Sequence, residues 1–262
     1  MLNNGPLDAI PLWGVFSLTV ALVLLAVESG YLLGRRRRTR AADEQAGAVG
    51  TMVASTLGLL AFILAFVFSF AAGRVDARRT ALVEEANAIG TTYLRADMLP
   101  EPHRAEIRRL LRDDVDAQLA GVKTLNVVAT MQRIDAIHNE LWQHATALGR
   151  DNPNSIVIGV FIQSLNESIE NYARRLLAVR TRVAGPVWLV LYLLTFLALH
   201  AMGYHIALTG TSRSPAVILV ALSFAFVICL VADLDRPHEG FLRLSQQPMV
   251  DLQVMMQADA AK

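Results

Sequence analysis

GTMVASTLGLLAFILAFVFSFAAG, residues 50–73, is a run of twenty-four residues without one ionisable side chain. As a helix rising about 1.5 Å per residue it is about 36 Å long, enough to cross a bilayer core of about 30 Å. A water-soluble fold needs at least one polar helix face, and this stretch has none. Working outward, Pro11 to Leu33 is apolar except for Glu28, and Gly185 to Leu208 is interrupted only by His200 and His205. Ser214 to Ala232 carries no charge. The sequence therefore predicts an all-α polytopic membrane protein with four transmembrane helices, about 11–33, 50–73, 185–208 and 214–232.

Hydrophobic residues make up 54% of the 262-residue chain and charged residues 18%, and the two classes are segregated along it, as in a protein that alternates between lipid and water. The net charge of +1 supplies no global field, and no basic-aromatic stripe suggests nucleic acid as a partner. Cys229 is the single cysteine, so neither an intramolecular disulfide nor a thiolate metal cluster is available. The first apolar stretch is followed by its arginines rather than preceded by them, which predicts a retained anchor and not a cleaved leader. The expected setting is the cell membrane, crossed several times.

The spans pair into two hairpins, residues 1–73 and 184–262, on either side of a helical extramembrane insert, residues 74–183. Within the insert, apolar residues recur at helical spacing in four segments. Val75, Leu82, Ala86, Ile89 and Tyr93 continue the second span. Ile107, Leu110, Leu111, Val115 and Leu119 form the next stripe, entered at Pro102, whose missing N–H costs nothing at a helix start. Ile134, Ile137, Leu141, Ala145 and Leu148 form the third, ending near Gly149. The fourth, capped by Asn154 or Ser155, carries Ile158, Ile162, Leu165, Ile169, Tyr172 and Leu176. It must bend or restart at Gly185-Pro186.

In the second span two stripes stand out. Ala54, Gly58, Ala61 and Ala65, with Ala72 beyond them, share a face on which small side chains let neighbouring helices approach closely. Phe62, Phe66 and Phe70 recur every fourth residue on an adjacent face. Turned to lipid they are inexpensive; repeated around an oligomer axis they would make stacked apolar rings able to gate a pore by dewetting. Arginines gather at the ends of the insert, Arg74, Arg78 and Arg79 on one side and Arg174, Arg175, Arg180 and Arg182 on the other. They suit headgroup anchoring or the mouth of an anion pathway. Asp233, Asp235 and Arg236 end the fourth span at the membrane level of Arg74, Arg78 and Arg79, and an ion network is expected there. His238 and Glu239 follow, but these groups alone do not make a calcium site. Glu28, His200 and His205 are the intramembrane ionisable groups, placed by the hairpins at one membrane side.

Orientation is read two ways. The loop RRRRTR, residues 35–40, favours a cytoplasmic first loop and hence an external insert. The arginines flanking the insert pull in the opposite direction.

Enzyme motifs are absent. His138 and His144 in HNELWQH do not have the spacing of a zinc-binding HExxH and are expected on a solvated face, as are Glu84 and Glu85. No nucleophile elbow, phosphate loop or dinucleotide fingerprint occurs, and neither a cofactor nor a metal is expected.

GTMVASTLGLLAFILAFVFSFAAGRVDARR, residues 50–79, LVEEANAIGTTYLRADMLPEPHR, residues 82–104, and DLDRPHEGFLRLSQQPMVDLQ, residues 233–253, together resemble the bestrophin-like family of bacterial membrane proteins. The resemblance covers most of the chain. It implies paired transmembrane helices around a helical insert and a distant relation to bestrophins, pentameric anion channels with a hydrophobic neck on the second span. Phe62, Phe66 and Phe70 match that neck in spacing. The acidic run that forms the calcium clasp of animal bestrophins is missing here, so no calcium site is implied. The expected function is that of an oligomeric anion channel, with self-association, the lipid bilayer and an inorganic anion as partners. The alternative is a non-conducting scaffold or sensor whose insert binds a partner.

Overall fold

The computed structural model describes residues 7–37, 42–124, 127–210, 216–236 and 244–261. The described residues form eight helices and no strand: α1 (Leu12–Arg37), α2 (Ala42–Ala96), α3 (His103–Thr124), α4 (Val127–Asp151), α5 (Ile156–Arg180), α6 (Gly185–Leu208), α7 (Ala216–Asp235) and α8 (Gln247–Ala260). Among the described residues, four helical stretches are long and apolar enough to cross a membrane, and they contain the four predicted spans except at Pro11, which precedes α1, and at residues 214–215, which lie outside the described residues. Thr181 to Ala184 separate α5 from α6, which restarts with Pro186 in its first turn, where a missing N–H breaks no helical bond. The predicted Ser155 cap is present: its Oγ accepts the backbone N–H of Ile158 at 3.3 Å.

The chain divides into two compact units, Met1–Val75 with Arg180–Arg243, and Asp76–Val179 with Leu244–Lys262. In the first, α1 packs against α6 and α7. Its core combines Val15 of α1, Leu60, Leu64, Val67 and Ala71 of α2, Trp188 and Leu191 of α6, and Ile228 and Val231 of α7. Large apolar side chains such as Leu25, Leu189, Leu219 and Phe226 point outward on the same helices. Such a coat is unfavourable in water and inexpensive in lipid, and the protein is a multi-pass membrane protein.

The α1–α6 contact depends on glycine. A Cβ added to Gly30 would fall on the backbone carbonyl of His200, and one on Gly203 would fall on the carbonyl of Val27. Gly34 is tight to a lesser degree, an added Cβ lying 2.6 Å from the Tyr204 carbonyl oxygen and 2.7 Å from the Ala207 Cβ. Gly30 and Gly34 are four apart, so both face α6 and the two backbones touch. Ser29 Oγ meets His200 Nδ1 at 2.8 Å and Thr19 Oγ1 meets the Tyr192 hydroxyl at 3.1 Å, adding hydrogen bonds where water cannot compete.

The second unit has one core, in which the predicted stripes of α2, α3, α4 and α5 converge through Leu82, Ile89, Tyr93, Leu111, Leu141, Phe161 and Leu165. α8 joins this core with Met249, Leu252 and Met256, instead of staying with the membrane hairpin to which the sequence assigned the C-terminal tail. Tyr93 donates its hydroxyl to the Met256 carbonyl at 3.4 Å, and Gln253 Nε2 donates to Asp116 at 2.6 Å. Arg108 binds Asp97 at 2.6 Å, binds Asp259, and lies 4.4 Å over the Tyr93 ring.

Further sequence expectations fail in this unit. Glu85 is fully buried and His138 is buried, not solvated. Glu85 lies three residues after Leu82, and His138 lies between Ile134 and Leu141 at offsets of four and three, so both share the core face of their helices. His144 is half-buried against His103 and not simply exposed.

Candidate functional site

The candidate site begins with the two sides of α2. Val53, Leu60, Leu64, Val67 and Ala71 are buried, at spacings of seven, four, three and four, and form the seam against the rest of the first unit. At 3.6 residues per turn Phe62 falls opposite this seam, Phe66 about 130° from it and Phe70 about 90° from it, so the stripe slants from the far side of the helix toward the edge of the seam. They are 69%, 65% and 48% exposed, so among the described residues nothing of substantial size covers them. Ala54, Gly58, Ala61 and Ala65 are exposed beside them, and a Cβ on Gly58 would meet no atom within 4 Å. The close helix contact that such residues permit is therefore not made by this stripe within the protomer; Gly30, Gly34 and Gly203 make it instead. Arg74 closes the phenylalanine face, with its guanidinium 4.4 Å from the Phe70 ring centre, a cation–π contact one turn along the helix.

The polar cluster at the end of α7 has members the sequence did not suggest. Asp235 Oδ1 accepts the backbone N–H of Val183 at 2.8 Å, and Arg182 donates to the Asp235 carbonyl at 2.5 Å. Arg182 also binds Asp8 at 2.7 Å. Arg236 donates to the carbonyls of Leu7 and Ile10, with its Nε 3.8 Å from Asp8. The cluster thus joins the segment before α1, the α5–α6 link and the end of α7. Asp233 and Arg78 are buried and Arg79 is exposed. His238 and Glu239 lie outside the described residues.

Among the intramembrane groups, His200 meets Ser29 and stacks on Phe196, with ring centres 5.9 Å apart. Glu28 is half-buried. His205 approaches α2: a Cβ on Gly50 would lie 2.8 Å from its Nε2.

In the second unit a buried polar chain crosses four helices. Arg175 Nε stands 2.6 Å from Glu85, a close charge contact rather than an aligned hydrogen bond. Arg175 also donates to Gln118 at 2.8 Å, and Gln118 approaches Asp114 at 3.3 Å. His138 is 3.5 Å from Asp114 and sits edge-on to the Tyr172 ring. Burial raises the Glu85 carboxyl to about 7, against the opposing pull of Arg175. Burial likewise pushes the Tyr172 hydroxyl up to about 12.

A helical membrane protein with this insert has known relatives. The family model described as the bestrophin-like domain matches residues 20–249. The chain belongs to the bestrophin-like family. Among solved structures, a point variant of a bacterial bestrophin homologue from Klebsiella pneumoniae aligns with a TM-score of 0.63 at 16% identity, covering 95% of this chain and 98% of that one. A second variant of the Klebsiella homologue gives a TM-score of 0.63 at 17% identity over 96% and 99%. At such identities the likeness is one of fold. No curated protein matches the chain in sequence.

Of the features missed in this bestrophin-like chain, the α1–α6 contact had the clearest sequence signal. GYLLG, residues 30–34, is a small-xxx-small pattern inside an apolar helix. Arg175 and Asp8 had none, because an ion pair between distant segments leaves no local period.

Proposed function

We propose that this bestrophin-like protein assembles from several copies around α2 and conducts inorganic anions, with Phe62, Phe66 and Phe70 forming a hydrophobic neck. The observation that carries this reading is the exposed phenylalanine stripe, which lies outside the buried seam of α2 and is flanked by an exposed row of small residues. Small residues suit the close approach of a second copy, which would turn the phenylalanines toward a common axis. Arg74, held over Phe70, adds positive charge at the end of the stripe, where it favours anions. Membership of the bestrophin-like family supports the same function.

Chloride efflux from liposomes tests the proposal. Phe66→Ala widens the middle of the neck and removes part of the dewetting barrier, so flux should rise and selectivity should loosen. Leu219→Ala, on the outward face of α7, should leave flux at the wild-type level. Equal background flux from wild type and both variants, all folded and oligomeric, would sink the channel reading. A membrane scaffold or sensor would then take its place.

A further inference from the structure

In the insert, α3 and α4 pack side by side and bring Glu106, Glu140 and His144 together, with one ligand atom from each lying within 4.8 Å of the others. Glu140 and His144 are four residues apart on α4 and share a face, while Glu106 stands in the first turn of α3. His103, one turn before Glu106, places Nδ1 2.9 Å from Nδ1 of His144 with the two rings nearly perpendicular. Two imidazole nitrogens hydrogen-bond at that distance only when one carries the proton and the other the lone pair.

We infer that Glu106, Glu140 and His144 form a binding site for one divalent transition-metal ion of the zinc class, with His103 as the residue that positions His144. His103 accepts the Nδ1–H of His144, which fixes the tautomer and leaves the Nε2 lone pair of His144 for the ion. This is the usual outer-shell support of a metal-bound histidine. Two carboxylates balance the charge of the ion. The imidazole favours zinc-class ions over calcium or magnesium, which take oxygen ligands. With metal–ligand bonds of about 2.0 to 2.2 Å, two ligands of a tetrahedral ion stand about 3.3 to 3.6 Å apart, so side-chain movements of about an ångström close the set. The remaining position opens to solvent, since Glu140 is exposed. Arg109 grips Glu106 at 2.5 Å, but it also holds Asp113 at 2.6 Å and keeps that partner when the ion takes Glu106. The site belongs to the insert unit and does not depend on the channel reading.

The test uses full-length protein in detergent, free of any affinity tag and stripped with chelator. Zinc binding is measured by calorimetry, and cobalt binding by its visible absorption. The expected result is one ion per chain, with a cobalt spectrum of low coordination number. His144→Ala and Glu140→Gln should weaken binding at least tenfold. His103→Ala should weaken it about tenfold to a hundredfold, the range for loss of an outer-shell partner. His103→Gln, whose amide oxygen can accept the same proton, should restore part of that loss. Glu170→Gln, on the exposed face of α5, should bind as wild type does. No binding by folded wild type, or unchanged binding by Glu140→Gln and His144→Ala, overturns the inference. Glu140→Gln is an isosteric change at an exposed position, so the result does not hinge on folding.

Discussion

The guanidinium Nε of Arg175 stands 2.6 Å from the carboxylate of Glu85, a side chain with no solvent exposure. Asp114, Gln118 and His138 complete the surroundings of that carboxylate. The pair links α2 to α5 across ninety residues of chain.

Stability of the insert should depend on pH through Glu85. Its carboxyl is raised from 4.5 to about 7 by burial. Between those values the folded protein holds a proton that the unfolded chain releases. Stability should therefore fall as pH rises through this interval and level off above about 7, a change on the order of 3 kcal/mol. Glu85→Gln, which keeps the shape and loses the titration, should flatten that slope. Denaturant midpoints of the solubilised protein from pH 4.5 to 8 measure it, and an unchanged slope in the variant would exclude Glu85 as the source.

Replacing Arg175 with Met should destabilise the protein most at high pH. Losing one partner of a buried pair costs about 3 to 5 kcal/mol when the other charge is stranded. At low pH a protonated Glu85 escapes most of that penalty. The same denaturant series checks it: equal losses at pH 5 and pH 8 would contradict a charge-pair role.

The α1–α6 crossing should not tolerate a methyl group. Gly30→Ala or Gly203→Ala drives a Cβ into backbone atoms, which cannot move aside as a flexible side chain can. A loss of at least the usual overpacking range, about 1 to 3 kcal/mol, is expected. Gly159→Ala, at an exposed position of α5 where the added Cβ meets no atom within 4 Å, is the control. Thermal unfolding in detergent separates them, and equal melting temperatures for all three variants would refute the tight crossing.

Asp235→Ala removes the acceptor of the buried Val183 N–H. An orphaned buried donor costs about 1 to 3 kcal/mol. Asp235→Asn keeps an oxygen at that position and should lose less. Folded yield by size exclusion ranks the two, and Asn faring as badly as Ala would assign the effect to charge instead.

Removing α8 should loosen the insert. Met249, Leu252 and Met256 are buried there, each worth about 1.5 to 3 kcal/mol. A chain ending at Arg243 should lose protease protection at α3, while Arg108→Ala, which cuts the link to Asp259, should have a smaller effect in the same direction. Unaltered cleavage in the truncated chain would show that α8 adds nothing.

The number of membrane helices and the core stripes of the insert were legible in the order of amino acids alone. Hydrophobic length and helical period are local properties: Gly50 to Gly73 is too apolar for water, and Leu110, Leu111 and Val115 can share only one face. Tertiary structure decided which face of each helix is covered and by what. Periodicity marked the phenylalanine and alanine stripes of α2, but only the packing of α1, α6 and α7 shows that both stay outside the protomer core. Glu85 looked solvated beside Glu84 until α5 brought Arg175 to it. The C-terminal tail looked like an appendage of the last span until Met256 reached Tyr93. Such contacts join segments far apart in the chain, and the complementarity that selects them exists only after the helices have come together.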